Sequence, residues 1–460
     1  MSEVEILADS SGIDFLSTLP VGWNVKALGA VCEPDGGVQT GPFGSQLHAA
    51  DYVPEGVPSI MPVNIGDNRI VEEGIARIKP DDAKRLSKYL VAKGDIVYSR
   101  RGDVERRALV TDKENGWLCG TGCLRVRLMK SVNSIYASYY LGHPEVKAWI
   151  VRHAQGATMP NLNTSILSQL PFAVPPRNAQ DAIAHFLASI DAKVDVLRNQ
   201  NKTLEAMARA IFKSWFVDFD PVRAKAEGRT PEGMDAATAA LFPSTFTDSP
   251  LGPIPEGWRY GPLSESIDII SGGTPKTSIS DYWGGDIPWF SVVDAPRAED
   301  VFVLDTEKKI TSLGLSKCAS ILLDEGITII TARGTVGKLA LVGRPMAMNQ
   351  SCYGLKGRDR DSSFFVYFNI KKTVAELQSK THGSVFDTIT KATFDGVHAH
   401  YATPEVLASF ERIVGQLMKR IKLNCEFSGN LSQLRDTLLP RLISGKLRLT
   451  DAQALTEDAT

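Results

Sequence analysis

A chain of 460 residues is long for one hydrophobic core and suits two or more domains. Its 43% hydrophobic and 23% charged residues are those of a globular protein, and a net charge of −2 excludes a polycation. Any affinity for nucleic acid must therefore come from local arrangement of charge. No stretch reaches the ~18 consecutive apolar residues of a membrane span. Of the six cysteines only Cys119 and Cys123 are close in sequence, which makes neither a disulfide framework nor a zinc site. The opening MSEVEILADSSG is acidic and does not read as a signal peptide, so the expected compartment is the cytoplasm, with free thiols.

The first region opens with LPVGW at 19–23. A Gly-rich loop, QTGPFGSQ at 39–46, follows and holds Gly41, Phe43, Gly44 and Ser45. Glycine lets a backbone approach a ligand, and the N–H groups of a turn can hold a phosphate, although a plain tight turn has the same composition. KGDIVYSRRGDVERRALV at 93–110 reads as two short strands around a turn at Gly102-Asp103, with Arg100, Arg101, Arg106 and Arg107 flanking it. The window 93–130 carries nine Lys/Arg against five Asp/Glu. Arginines so placed reach phosphates or the O6/N7 edge of guanine; a solvated charged loop is the alternative. GATMPNLN at 156–163 then offers Thr158, Asn161 and Asn163 to bases or to their own turn.

From 181 to 215 the apolar residues Ile183, Leu187, Ile190, Val194, Leu197, Leu204, Ala208, Ile211 and Trp215, with Asn201 among them, alternate steps of four and three. That spacing is a heptad seam with one polar member, and Pro175-Pro176 suits its start. Phe212, Trp215, Phe216 and Phe219 at its end read as an aromatic core plug.

After a polar linker the chain repeats itself. IPEGW at 254–258 restates LPVGW, and SGGTPKTS at 271–278, with Gly272, Gly273, Thr274 and Lys276, is a second Gly-rich loop. EGITIITARGTVGKLALV at 325–342 matches the arginine hairpin, pairing Arg333 with Arg101 and placing Lys338 on the same turn. Gly383 and Ser384 answer Gly156 and Ala157, but Thr388-Ile389-Thr390 replaces Asn161-Leu162-Asn163, so that site is not shared. The spacing between copies falls from 235 residues at Trp23 and Trp258 to 232 at Arg101 and Arg333, and to 227 at Gly156 and Gly383. At the last spacing the seam returns, behind Pro404, as Phe410, Val414, Leu417, Ile421, Asn424, Ser428, Leu431, Arg435, Leu438 and Leu442. A helix of about 35 residues is a rod of roughly 50 Å. Its apolar seam needs cover, from its own domain or from the other helix, and the unbroken seven-residue period favours the other helix. Asn201 then either fixes register or is exposed.

Enzyme signatures are missing. No G-x-x-x-x-G-K-[ST], G-x-S-x-G or H-E-x-x-H pattern occurs, nor an Asn-Pro-Pro-Tyr/Phe tetrapeptide. His398 and His400 read as surface residues rather than metal ligands, and Glu307 and Lys309 with Asp300 have a spacing too common to mark a nuclease.

The two openings, GDIVYSRRG, GATMPNLN, VPP, the helix ending FKSWFVDFDPV and the later LRDTLLPRLISGKL together resemble the specificity subunit of type I restriction-modification systems, over roughly 19–447. The resemblance implies an α+β fold in which two mixed α/β target-recognition domains are separated by two long antiparallel helices forming a coiled-coil spacer, a pseudo-two-fold internal repeat. On this sequence it places recognition domains at 1–175 and 254–403, spacer helices at 176–217 and 404–445, a linker at 218–253 and a tail at 446–460. It implies no catalytic, cofactor or metal residues in this chain. The ligand would be double-stranded DNA, read as an asymmetric split target. The partners would be two methyltransferase subunits, which use S-adenosylmethionine, and two motor-endonuclease subunits, which use ATP and Mg2+, with no membrane. The loop residues named above would contact DNA, and Leu187, Leu197, Asn201, Trp215, Leu417, Asn424 and Leu438 would pack helices or subunits. Two other readings fit the bare sequence: a stand-alone DNA-binding interaction scaffold, and a nuclease or methyltransferase with duplicated DNA-binding domains.

Overall fold

Short β-branched and aromatic runs set the strands. Ile96–Ser99 and Cys123–Val126 are buried at every position, so both faces of their sheet are covered. The computed structural model describes residues 12–156, 159–250, 252–296, 300–358, 362–380 and 388–457, and the side chains of all these except 376–380 and 454–457. Thr158 and Ser384, two of the expected DNA contacts, lie outside the described residues. The chain divides into a first unit, Met1–Ala192 with Leu431–Thr460, and a second, Lys193–Asn430. Among the described residues no helix is long and apolar enough to cross a membrane.

In the first unit the main sheet runs Val38–Thr40, Cys123–Val126, Ile96–Ser99, Arg107–Leu109, all antiparallel. A second sheet runs Tyr52–Val53, Ala76–Ile78, Val57–Ile60, Leu118–Cys119, its last pair parallel. A ribbon of Asn24–Ala27 with Pro171–Val174 ties the start of the domain to the segment that enters the first long helix. In the second unit the main sheet runs Ile267–Ser271, Cys352–Gly357, Thr328–Thr331, Leu339–Val342, in the same antiparallel order, with Phe302–Val303 added in parallel. Its second sheet is Lys309–Ile310, Trp283–Phe290, Ala347–Met348, again ending in a parallel pair. The ribbon here is Arg259–Pro262 with His398–Tyr401.

The long helices are Arg177–Phe216 and Pro404–Ile443, and each contributes to both units. Within the second unit Asn424 Nδ2 donates to Asn201 Oδ1 at 2.9 Å, and the rings of Phe212 and Phe410 stand 6.1 Å apart. Rising numbers on one helix thus meet falling numbers on the other. Within the first unit the two helices also meet, since Arg435 Nη1 donates to Asp191 Oδ1 at 2.6 Å. Leu187, Leu197, Trp215 and Leu438 are buried as the seam requires.

The seam drifts, however. Met418 is buried where the seven-residue period places Leu417, which is only half-buried, and on either side of the expected Ala208 it is Glu205 and Phe212 that replace Leu204 and Ile211 on the buried face. An α-helix repeats every 3.6 residues, so a strict seven-residue stripe slides around it. The cover explains why this is tolerated. Helix against helix and helix against domain are not alternatives here: Phe212 and Phe216 also pack on Phe365, and Phe212 on Phe368, of the second unit's own domain. Buried Glu205 is matched by Lys371 Nζ at 2.8 Å. The aromatics at the end of the first helix are the expected core plug, with Trp215, Phe216, Phe219, Phe242, Trp258 and Phe410 in one buried cluster.

Asn201 and Asn424 are 1% and 2% exposed, and Asn201 Nδ2 also donates to Cys425 Sγ at 3.3 Å. Asn201→Leu leaves a buried amide short of its partner and should cost ~1–3 kcal/mol. Asn201→Leu with Asn424→Leu should cost less than the two single changes together, and a double-mutant cycle in denaturant measures the difference. His143 Nδ1 accepts the Glu145 N–H at 3.2 Å, and the ring packs 4.3 Å from that of Phe15. Burial pushes its pKa down from 6.5 to about 4. The unfolded chain takes up this proton near pH 6.5 and the folded chain resists it, so the stabilisation is complete above pH 6.5 and is lost as pH falls toward 4. Unfolding of the wild type and of His143→Asn across that range should show the shallower acid loss in the variant.

Candidate nucleic-acid interface

The arginine turn of the first unit joins Ile96–Ser99 to Arg107–Leu109, and Gly102 at its tip has φ +73°, a conformation that a side chain disfavours. Ser99 steadies the turn: its N–H donates to Arg106 O at 3.0 Å and its Oγ to Arg101 O at 2.9 Å. Three segments singled out in the sequence meet here. Arg100 N–H donates to Gly122 O and Leu162 N–H to Arg100 O, both at 2.8 Å. Arg101 and Asn161 form an antiparallel bridge. The Arg100 guanidinium lies 6.0 Å from the centroid of the exposed Phe43 ring, a cation–π distance. Arg101, Arg106, Gly44 and Ser45 are exposed around it. Arg100 is half-buried; its Nε and the Oδ1 of Asn161 are covered atoms without a hydrogen-bond partner among the described residues.

The second unit rebuilds this backbone with other side chains. Ala332 N–H donates to Ser351 O at 2.8 Å, Ile389 N–H to Ala332 O at 2.9 Å, and Arg333 bridges Thr388. Gly334 at the tip has φ +76°. Arg333 and Lys338 are exposed, and the Lys338 N–H is held by Thr331 Oγ1 at 3.0 Å. Thr274 Oγ1 donates to Gln350 Oε1, and exposed Lys276 accepts the Trp283 indole N–H on its carbonyl at 3.3 Å.

Several expected contacts turn out to be structural. Arg107 is 4% exposed and donates through Nε to Ser138 O at 2.6 Å, and burial lowers its pKa. The space for its guanidinium comes from Gly142, where a Cβ would stand 1.9 Å from Arg107 Nη2. Arg125 is buried as well, bonded to the carbonyls of Lys88, Leu90 and Gly36, and Arg127 pairs with Asp95 at 2.6 Å. Much of the positive window 93–130 is therefore spent on the fold. Asn163 caps the helix Thr164–Gln169, its Oδ1 accepting the Ile166 N–H at 2.8 Å. Gly41 and Gly272 are glycines because two backbones cross: a Cβ would meet Gly120 O at 2.1 Å and Asn349 O at 1.9 Å. Gly273 likewise abuts Ser320 N at 2.6 Å. None of these three glycines presents a cradle to solvent. His398 stacks on Tyr260, and His400 is half-buried against Phe219 rather than on the surface.

Sequence reasoning missed one pair of features. The turns Pro62–Asn64 and Val292–Asp294 each push a valine into solvent, Val63 at 76% and Val293 at 69% exposure. Asn64 Oδ1 and Asp294 Oδ2 accept the N–H groups of Met61 and Ser291 at 3.1 and 2.8 Å. A Cβ on Gly122 would stand 3.3 Å from Pro62 Cγ, so the first of these turns adjoins the Arg100 loop. The readable signal was an Asn or Asp three residues after the residue that precedes the turn, Met61 or Ser291, the return half of a capping box. Burial pushes the Cys119 thiol up to about 12. Among the described residues no three His, Cys, Asp or Glu side chains are grouped to hold a metal.

The arrangement offers two arginine turns of one backbone design and different side chains, which suits duplex DNA at two places. Comparison with known proteins points the same way. The type I restriction modification DNA specificity domain matches residues 20–206 and again 255–398. The chain is 25% identical over 442 residues to the type I restriction enzyme HindI specificity subunit of Haemophilus influenzae, covering 85% of this chain and 95% of that one. It is 21% identical over 445 residues to the putative type I restriction enzyme MjaX specificity subunit of Methanocaldococcus jannaschii, covering 94% and 96%. A solved S subunit of a type I restriction-modification system from M. genitalium shares the fold, with a TM-score of 0.51 at 15% identity over 91% of this chain and 96% of that one. This chain belongs to the family of type I restriction-modification specificity subunits, and its part in such a system is specificity rather than catalysis.

Proposed function

We propose that this chain reads an asymmetric, split double-stranded DNA target, one half with each recognition domain, and carries the catalytic subunits to it. The observation behind this reading is the recurrence of one bridged turn, Arg101 on Asn161 and Arg333 on Thr388, in both units. Matching backbones put a cation at the same place against each half-site. Differing side chains beside it select different bases, so the halves are unlike.

In this reading the two units are diverged copies related by a pseudo-two-fold, and the two long helices form an antiparallel coiled-coil spacer. Forty residues of helix make a rod of about 60 Å. This exceeds one DNA turn of ~34 Å and leaves unread bases between half-sites. The partners are two methyltransferase subunits, using S-adenosylmethionine, and two motor-endonuclease subunits, using ATP and Mg2+. This chain holds none of those cofactors, and the complex works in the cytoplasm.

Exposed Arg101 and Arg333 act on phosphates. In the complex reconstituted with its methyltransferase subunits, Arg101→Ala and Arg333→Ala should each weaken binding to any duplex. Each should flatten the dependence of log K on log salt by about one unit. Titration of fluorescent duplexes across salt checks this. Unchanged affinity and slope in both variants would make the turns ordinary solvated loops, and a wild-type complex indifferent to DNA sequence would end the reading.

A further inference from the structure

The two bridged turns have a common part and a part that differs. Arg101 and Arg333 are the same residue at the same bridge position, both exposed. A phosphate is common to every half-site, so a shared cation suits it and conveys no sequence. A second exposed cation on the turn is shared as well, Arg106 with Lys338, but the residue before the arginine and the one across the bridge are not. Arg100, which receives Leu162 N–H on its carbonyl, corresponds to Ala332, which receives Ile389 N–H on its own. Asn161, across the bridge, corresponds to Thr388. Ala332 is 2% exposed and cannot reach a ligand, whereas the Arg100 side chain emerges beside exposed Phe43.

We infer that Arg100 and Asn161 are the base-reading pair of the first recognition domain, Arg100 on the O6/N7 edge of a guanine and Asn161 on the exocyclic amino group of a neighbouring adenine. This inference rests on the split-target reading above. Three features carry it. First, Arg100 is pre-set rather than loose: its backbone is bonded through both N–H and C=O, and its guanidinium lies over a ring. A held planar fork loses little side-chain entropy on meeting a purine edge. Second, Arg100 Nε and Asn161 Oδ1 are covered and lack partners among the described residues, one beside and one within the bridge that Arg101 makes with Asn161. An unmade hydrogen bond is unfavourable, and rotation of each side chain onto a base edge removes the deficit. Third, both positions hold other residues in the second unit, Ala332 and Thr388, so whatever they read is confined to one half-site.

The second domain must then select its bases from other positions on its turn. The exposed Lys338 answers the exposed Arg106, since Thr331 N–H donates to Lys338 O as Ser99 N–H does to Arg106 O, both at 3.0 Å, so it is a second shared cation rather than a reader of bases.

The test is selection from a duplex library with both half-sites randomised, using the complex reconstituted with its methyltransferase subunits. It compares wild type, Arg100→Ala, Arg100→Lys, Asn161→Ala and, as the phosphate control, Arg101→Ala. Arg100→Ala and Arg100→Lys should each lose discrimination at one G·C pair of one half-site, by roughly 5- to 150-fold, because lysine keeps the charge but not the fork. Asn161→Ala should relax one A·T pair in the same half-site. The other half-site should stay as selective as in the wild type, which also shows that each variant is folded and assembled. Arg101→Ala should weaken binding without changing any preference. Intact preferences at every position in Arg100→Ala and Asn161→Ala would overturn the inference, as would relaxation spread over both half-sites. A wild-type complex that selects no sequence would remove the recognition reading itself, and this pair with it.

Discussion

The apolar stripe of the two long helices is the constraint from which the rest follows. A helix of 40 residues with such a stripe cannot stand in water uncovered, and each unit covers it twice, with the opposing helix and with its own domain. The chemistry of that cover differs between units. In the first, Arg435 bonds Asp191, which also accepts the Tyr139 hydroxyl at 2.5 Å. In the second, the corresponding places hold Ala208, Met418 and Phe368, all buried and apolar. A guanidinium set among Phe368 and Met418 would be a buried charge without a partner, and such a charge is strongly destabilising. The helix ends are therefore not interchangeable, and the buried Asn201–Asn424 pair adds a fixed point to their register.

On that base each domain presents its turn in the same way. The crossings at Gly41 and Gly272 bring two backbones closer than any side chain would allow. The bridges Arg101–Asn161 and Arg333–Thr388 then hold the turn against the next loop. The backbone is the invariant part. Side chains hung on it change without disturbing the support.

Much of this was legible in the residues. The arginine hairpins, the long helices and the aromatic plug are periodicities and punctuations that local physics imposes. What was not legible depends on partners distant in sequence. Arg107 and Arg106 are neighbours in one RR pair, yet one is buried and the other exposed, because Gly142 leaves room for one guanidinium. Asn163 looked as free as Asn161, although its place ahead of Thr164 and Ser165 is that of a helix cap. Leu417 followed from a seven-residue rule, and Met418 took its place because the helix keeps its own 3.6-residue turn. Val63 and Val293 left no periodic trace, being single apolar residues on polar turns.

The central claim is that the paired helices hold two unlike recognition domains at a set distance. Inserting one heptad after Leu197 and another after Ser428, which flank the Asn201–Asn424 contact from the same side, lengthens both helices by ~10 Å and keeps the stripe in phase. At ~3.4 Å per base pair this corresponds to about three more unread bases. Sequencing of methylated sites in cells carrying the insertion measures it most directly. The account predicts the same two half-sites with a longer gap. Full methylation at the original gap, or a new pair of half-sites, would contradict it.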